Sequence, residues 1–377
     1  MKFNTHVNSD NPNLPLAGLK VVAIEQAVAA PFATSRLADA GAQVIKVERP
    51  AGDFARGYDD VAAGQSSYFV WLNRGKDTVT LDLTKPKDKE VLTELLAEAD
   101  VLVQNLKPGS LARLGFDFDR LKQEFPKLIV CSISGYGEEG PMAKRKAYDL
   151  LIQAESGLCS ITGGPEQAAR VGTSVVDIAS GATAHAAILE ALIRRSVTGK
   201  GAQISVSMFD VMADWLTVPL LHQEGGKPPK RVGMAHPSIS PYGVFETKDE
   251  QQVLISIQSD REWAKLCSEF LDDTSMIDDV RFATNVLRVS NREQTDGMVA
   301  TKFASLPLEE VQKRLTRGDI AFASVNDMTG LSEHPHLRRI TVDSPNGPVS
   351  YPAPAPIFVG EEREYGAIPA LKEYEEN

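Results

Sequence analysis

The sequence predicts an α/β fold: a mostly parallel sheet with helices on its faces, joined to a smaller α+β domain. Three observations carry this. Short apolar runs alternate with segments of helical spacing through the first half of the chain. From Val175 the pattern turns strongly helical. Beyond a Gly-, Pro- and Lys-rich stretch at 224–241, two runs follow one another closely and read as antiparallel strands.

The elements follow in order. LKVVAIE (19–25) is a buried strand, and Pro31 opens the helical run PFATSRLADAG, closed by Gly41. AQVIKVER (42–49) and TVTLDL (78–83) are strands, with a helix over 85–100. VLVQNL (101–106) and LIVCSIS (128–134) are further short apolar strands. A long Ala- and Leu-rich helix runs from Val175 to the glycines at 199 and 201, followed by a strand at 202–208 and a helix at 209–221. The smaller domain takes two strands, 242–249 and 251–259, and a helix at 260–271. The expected division is a large domain over 16–225, completed by 331–377, with a small domain over 226–330.

A formal net charge of −11 excludes the broad positive surface that nucleic acid or an anionic membrane needs, so any anionic ligand must find locally gathered cations. The three cysteines are far apart and form no CxxC pair, so a cytoplasmic, reducing compartment is expected. The polar first fifteen residues have no apolar h-region, and no run of about 18 apolar residues occurs. The turn after the first strand, EQAVAAP, has no glycine for a dinucleotide pyrophosphate, and neither GxxxxGK[ST] nor GxSxG occurs. His334 and His336 flank a proline and read as a surface loop; no metal site is expected.

Ordered blocks over about 16–260 resemble the class III CoA transferases, the CaiB/BaiF or formyl-CoA transferase family. They are GLKVVAIEQAVAAPFATSRLADAGAQVIKVERPAGDFAR (18–56), WLNRGKDTVTLDL (71–83), DVLVQNLKPGSLARLGFDFDRLK (100–122), SISGYGEEGPMAKRKAYDLLIQAESGL (132–158) and the VGTSVVDIASG block from 171. The resemblance implies a Rossmann-like large domain, two ring-shaped chains interlocked as a homodimer, coenzyme A as co-substrate, and no tightly bound cofactor. It places Asp177 on the family's nucleophilic aspartate. The bland alternative is a structural helix cap, since Asp177 ends an apolar segment and precedes a long helical run. A helix N-terminus also favours an ionised carboxylate ready to attack a thioester.

The same resemblance implies CoA contacts at Arg49, Lys76, Asn105, Leu106, Lys107, Arg113 and Tyr136. Lys107 stands where the family usually carries arginine, so it would bind phosphate as a point charge. The cluster Lys144, Arg145, Lys146 reads equally as a solvated loop or the rim of the phosphate site. Tyr148, Arg231 and His236 are candidates for the acyl end. Arg231 or His236 would pair with the distal carboxylate of a dicarboxylic acid, with a loop histidine of no task as the alternative. The expected reaction is CoA transfer to a small dicarboxylate, with succinyl-CoA as donor, through aspartyl anhydride and aspartyl-CoA intermediates. The rival of the same fold is a 2-methylacyl-CoA racemase. Those relatives resemble GHD where this chain reads Ala147, Tyr148, Asp149, and a phenol is a poor general base at neutral pH.

Overall fold

The computed structural model describes residues 12–371. The chain divides into two compact units: residues up to Leu158 with Arg170–Val218 and the chain from Arg338 onward, and Cys159–Ala169 with Pro219–Leu337.

The first unit starts β1 (Lys20–Ile24), α1 (Ala29–Asp39), β2 (Gln43–Glu48), α2 (Ser67–Asn73), β3 (Lys76–Thr80), α3 (Pro86–Ala97) and β4 (Val101–Gln104). It continues α4 (Ser110–Arg113), α5 (Phe118–Glu124), β5 (Ile129–Ser134), α6 (Asp149–Glu155), α8 (Val175–Thr198), β6 (Ala202–Ser207) and α9 (Met208–Trp215), while α7 (Leu158–Ile161) and α10 (Thr217–Glu224) start at its chain boundaries and fall mostly in the second unit. The six strands form one sheet in the order β3-β2-β1-β4-β5-β6, every neighbouring pair parallel. Parallel strands buried on both faces need apolar residues at odd and even positions alike. Val21, Ala23, Val101, Val103, Ile129 and Cys131 accordingly share a core with residues of α1 and α8, while Val22, Ile24, Leu102 and Val130 share another with residues of α3 and α5.

Two details place the site. The strand order reverses between β1 and β4, and at such a switch point the loops leaving the carboxyl ends diverge and open a crevice. Gly181 of α8 lets that helix lie on the start of α1, for a Cβ there would stand 2.4 Å from the Ala29 carbonyl oxygen. By length and composition alone α8 would also suffice to cross a bilayer; here one side of it packs into the sheet core through Val176, Ala179, Ala184 and Ile188. The chain after 338 pairs Arg339–Val342 with Val349–Pro352 as a hairpin, and Val342 and Ile368 pack on Phe69 and Val70 of α2.

The second unit holds an antiparallel sheet, β7 (Tyr242–Glu246), β8 (Gln252–Ser256) and β9 (Ala321–Ser324). Its helices are α11 (Asp260–Lys265), α12 (Asn285–Ser290), α13 (Arg292–Ala304), α14 (Leu308–Arg317) and α15 (Met328–Ser332), with a π-helical turn at Leu266–Leu271 prolonging α11. Trp263, Phe270, Phe282, Phe303 and Leu315 fill its own core.

Two expected elements differ. The strand placed at 78–83 is Lys76–Thr80, since the charged Lys76 and Asp77 are buried in the sheet. The helix placed at 209–221 is two, α9 and α10, parting at Leu216. Pro219 has no N–H for the carbonyl four residues back and its ring crowds that carbonyl, so one helix cannot continue through.

Candidate functional site

A cavity of about 610 Å³ lies at the carboxyl ends of β1, β4 and β5 in the first unit. Its wall takes Gln26–Ala29 after β1, Asn105–Pro108 after β4 and Ile133–Gly135 at the end of β5. Asp177, Tyr148 and Asp149 complete it, with Phe54, Tyr58 and Tyr68 as its aromatic side and Lys107, Arg145, Lys146 and Arg170 as its cations. A smaller cavity of about 230 Å³ shares Gln26 and Leu106 with it and runs past Arg49, Pro50, Asp82 and Thr84 at the ends of β2 and β3. The cations gather in the larger cavity, whereas the smaller one carries Arg49 among Glu25, Glu48, Asp53 and Asp82.

The wall between the cavities is braced from below. The Asn105 side chain donates to the Gln26 carbonyl at 2.8 Å and accepts from its N–H at 3.0 Å, tying the β4 loop to the β1 loop as a strand pair would. Ala27 stands in the left-handed region at φ 60°, a conformation costly for alanine. Asp53 supports it: one carboxylate oxygen accepts from the N–H groups of Ala27 (3.1 Å) and Ala55 (2.9 Å), and the other takes Lys46 Nζ at 2.8 Å. Beneath these, Lys76 Nζ donates to Glu25 Oε1 at 2.7 Å and to the Pro31 carbonyl at 3.1 Å. Burial drives the Lys76 ammonium down to about 8, against the opposing pull of Glu25.

Asp177 lies in the first turn of α8, as expected, but its charge is not eased as expected. Asp149, from α6, accepts the N–H groups of Val176 and Asp177 on one oxygen, at 2.8 and 3.2 Å. The helix-terminal donors are thereby occupied by a second carboxylate. Burial, and then repulsion from Asp149, push Asp177 up to about 7. Tyr58 is raised to about 12, chiefly by burial and then by Asp53 and Asp177, so its phenol keeps its proton. The N-terminal turn of α1 has no side-chain cap at Val28, Pro31 has no N–H to offer, and Val28 and Ala29 line the cavity.

The expected residues divide. Asp177, Tyr148, Asn105, Leu106 and Lys107 meet at the larger cavity, and Arg49 at the smaller, where its Nε donates to the Gly52 carbonyl at 2.9 Å. Lys76, expected at the CoA site, is 1 % exposed, lines neither cavity, and is bound to Glu25 and Asn73. Tyr136 packs its ring near Phe209, 6.0 Å between centroids, and lines neither cavity. Arg113 is an exposed residue whose guanidinium donates to Ser110 Oγ at 2.7 Å; it too lines neither. Both Arg145 and Lys146 of the basic cluster reach the larger cavity, although Arg145 also pairs with Glu155 at 3.2 Å.

In the second unit Arg231, expected to meet a substrate carboxylate, turns instead onto the carbonyls of Gly164, Ser160 and Pro165 at 3.0, 3.1 and 3.0 Å. It fastens the 159–169 segment, a structural task the sequence did not reveal. His236 stacks on Tyr242 at 5.2 Å, and its Nδ1 accepts from the Ser238 N–H at 3.1 Å. Burial and then Arg292 hold its pKa below the ordinary histidine value, so it stands as a neutral imidazole. Sequence reasoning missed Arg170, Tyr58 and Asp149. Asp149 reads in sequence only as part of the triplet beside Tyr148, and Arg170 and Tyr58 lie in no chemical motif; the fold brings all three to one cavity.

The sequence profile of CoA-transferase family III matches residues 16–371. The chain is 34% identical to the human succinyl-CoA:glutarate CoA-transferase over 358 residues, covering 92% of this chain and 81% of that one. It is 32% identical to the succinate–glutarate CoA-transferase of Agrobacterium fabrum, covering 94% and 92%. The crystal structure of a CaiB/BaiF family protein from Brucella suis superposes with a TM-score of 0.80 at 34% identity, covering 95% and 97%. That of Rv3272 from Mycobacterium tuberculosis gives 0.85 at 28% identity, covering 96% and 98%.

Proposed function

The chain belongs to CoA-transferase family III, and from that membership we propose that it carries CoA from an acyl-CoA to a small dicarboxylic acid, with Asp177 as the covalent carrier. It is an enzyme of the CoA-transferase type. The observation that carries the reading of the site is Asp177 in the wall of a cavity that also takes Lys107, Arg145, Lys146 and Arg170. CoA would lie along the paired cavities, its nucleotide towards Arg49 and its thioester beside Asp177. Lys107, Arg145, Lys146 and Arg170 supply the positive potential that phosphates and a second carboxylate require.

The chemistry follows from the carboxylate. Asp177 attacks the donor thioester carbonyl; the C–S bond breaks and CoA leaves as thiolate, giving a mixed anhydride. The thiolate attacks the aspartyl carbonyl and releases the donor acid as its carboxylate. The aspartyl-CoA thioester is then opened by the acceptor carboxylate, and the same two exchanges run in reverse. Each addition builds an oxyanion, and the uncapped first-turn N–H groups of α1 are the donors suited to it. The buried ion set under Ala27 fixes that turn before substrate arrives. Tyr148 at the cavity in place of a histidine disfavours racemisation.

The dicarboxylate preference rests on the cations around the cavity and on relatives named for glutarate, oxalate and mesaconate transfer. We assign the distal carboxylate to the cavity cations rather than to Arg231, whose guanidinium is fastened to carbonyls. A homodimer fits the exposed apolar residues Ile193, Val197, Trp215 and Val218 of the first unit. The test is a panel of acyl-CoAs against free acids, read by mass spectrometry, with trapping of the acyl-enzyme by hydroxylamine. Transfer to C4–C5 dicarboxylates with an adduct on Asp177 is expected. Preference for formate, carnitine or aromatic acids would refute the substrate class, and rapid α-deuterium wash-in without an acceptor would favour the racemase.

A further inference from the structure

α6 grips the chain that carries Asp177 at two points. Asp149 accepts two N–H groups of the first turn of α8. One turn further along, fully buried Gln153 donates to the other oxygen of Asp149 at 2.7 Å and accepts from the Val171 N–H at 2.9 Å. Residues 171–177 are therefore held against one face of α6 by an i, i+4 pair whose members also hold each other. Ser174, at the N-cap position of α8, makes no side-chain cap bond, so the cap is supplied across the fold by Asp149.

We propose that Asp149 is the positioning residue for the reacting carboxylate, fixing the first turn of α8 and, as a held negative charge beside it, keeping Asp177 strongly basic and nucleophilic. The inference rests on the role of Asp177 proposed above. A serine or asparagine cap would satisfy the same N–H groups without a charge. A carboxylate cap does two things at once. It takes the helix-terminal donors that would otherwise stabilise the Asp177 anion, and it sets a like charge within hydrogen-bonding distance of the Asp177 backbone. Both effects oppose ionisation of Asp177, and a more basic carboxylate attacks an acyl carbon faster.

The other groups facing Asp177 across the cavity act differently. Tyr58, from the turn after β2, keeps its proton, and Tyr148 is an exposed phenol beside α6. Lys107 from the β4 loop, Arg145 and Lys146 from the loop before α6, and Arg170 before α8 are exposed cations that would lower Asp177. Water screens them, whereas Asp149 is held in place by three hydrogen bonds. Burial acts in the same direction as Asp149 and leads it, which is the direction found for Asp177.

The experiment uses the full chain with ¹³C-labelled aspartate carboxyls, titrated by NMR as wild type, Asp149→Asn and Asp177→Asn, the last to identify the Asp177 resonance. The rate of adduct formation with acyl-CoA is followed over the same pH range. The Asp177 midpoint should fall by about one unit or more in Asp149→Asn, and the rising limb of the adduct rate should move by the same amount, with a lower plateau. Should Asp149→Asn not fold, Asp149→Ser offers a neutral cap with the same readouts. An unmoved midpoint and limb, with only a uniform loss of rate or a lower Tm, would leave Asp149 a structural cap and overturn the proposal. The absence of any adduct on Asp177 in wild type would instead overturn the covalent reading; the NMR midpoint separates the two failures.

Discussion

At the scale of single residues, Asp177 makes the sharpest claims. Its carboxyl is raised to about 7, so the attacking anion grows as pH rises through that value. The rate of adduct formation should climb about tenfold per unit below pH 7 and level off above it. Asp177→Ala should lose at least 10³-fold in turnover, a scale consistent with removing a nucleophile, while CoA affinity stays within a few fold. Stability has the opposite dependence. The folded carboxyl binds its proton more tightly than the unfolded one, with a reference value of 3.8, so stability supplied by this group falls as pH rises from about 4 to about 7. Asp177→Asn cannot ionise. Its Tm relative to wild type should therefore increase between pH 4.5 and 8; calorimetry at the two pH values checks this, and a constant difference would contradict the raised pKa.

Lys76 shows why some of the site was not legible. By sequence it is a cation in a block that carries CoA contacts, and nothing in the string distinguishes a phosphate ligand from a buried ion partner. The distinction is set by Glu25, 51 residues away, which meets it only once β1, β2 and β3 lie side by side. Lys76→Met should remove the nearer of two ammonium partners of buried Glu25, leaving Lys46 at 3.5 Å, and destabilise the fold by about 1–3 kcal/mol. Denaturant unfolding would register that loss. A phosphate contact would instead leave stability intact and raise KM for CoA.

At the scale of elements, the parallel strands were legible because burial on both faces leaves apolar runs too short and too uniform for an amphipathic helix. The start of β3 was not, because its buried charged residues Lys76 and Asp77 read as surface. α6 was missed too. Its seven residues, DLLIQAE, follow a Gly- and Lys-rich loop, and the partners of Asp149 and Gln153 lie 18 to 28 residues downstream. The packing of α8 on α1 was also beyond the sequence, since Gly181 reads there as one small residue among several. Gly181→Ala should push the two helices apart, as its Cβ would also come within 2.9 Å of Phe32 Cβ. Overpacking of this kind costs about 1–3 kcal/mol. Because α1 carries the first-turn N–H groups and α8 carries Asp177, kcat should fall in the same variant. A drop in Tm with kcat unchanged would separate the helix contact from the site.

At the scale of the whole molecule, the association of chains is the property on which the sequence and the exposed surface bear together. The resemblance to the family implies interlocked rings, and Ile193, Val197, Trp215 and Val218 are 68, 84, 58 and 65 % exposed in the single chain. Exposed apolar residues on α8, at the end of α9 and at the start of α10 favour covered positions over open ones. A side-by-side dimer and a linked dimer differ in how they respond to dilution. The first obeys mass action and separates once the concentration falls below its dissociation constant. Linked rings cannot part unless one chain unfolds, so their mass is independent of concentration. Light scattering and single-molecule mass measurement, from micromolar to low nanomolar protein, should return twice the chain mass throughout. Two differently tagged preparations mixed for days should exchange no subunits until they are denatured and refolded together. Exchange within hours would exclude the linked form, and a fully active monomer at any concentration would exclude the dimer itself.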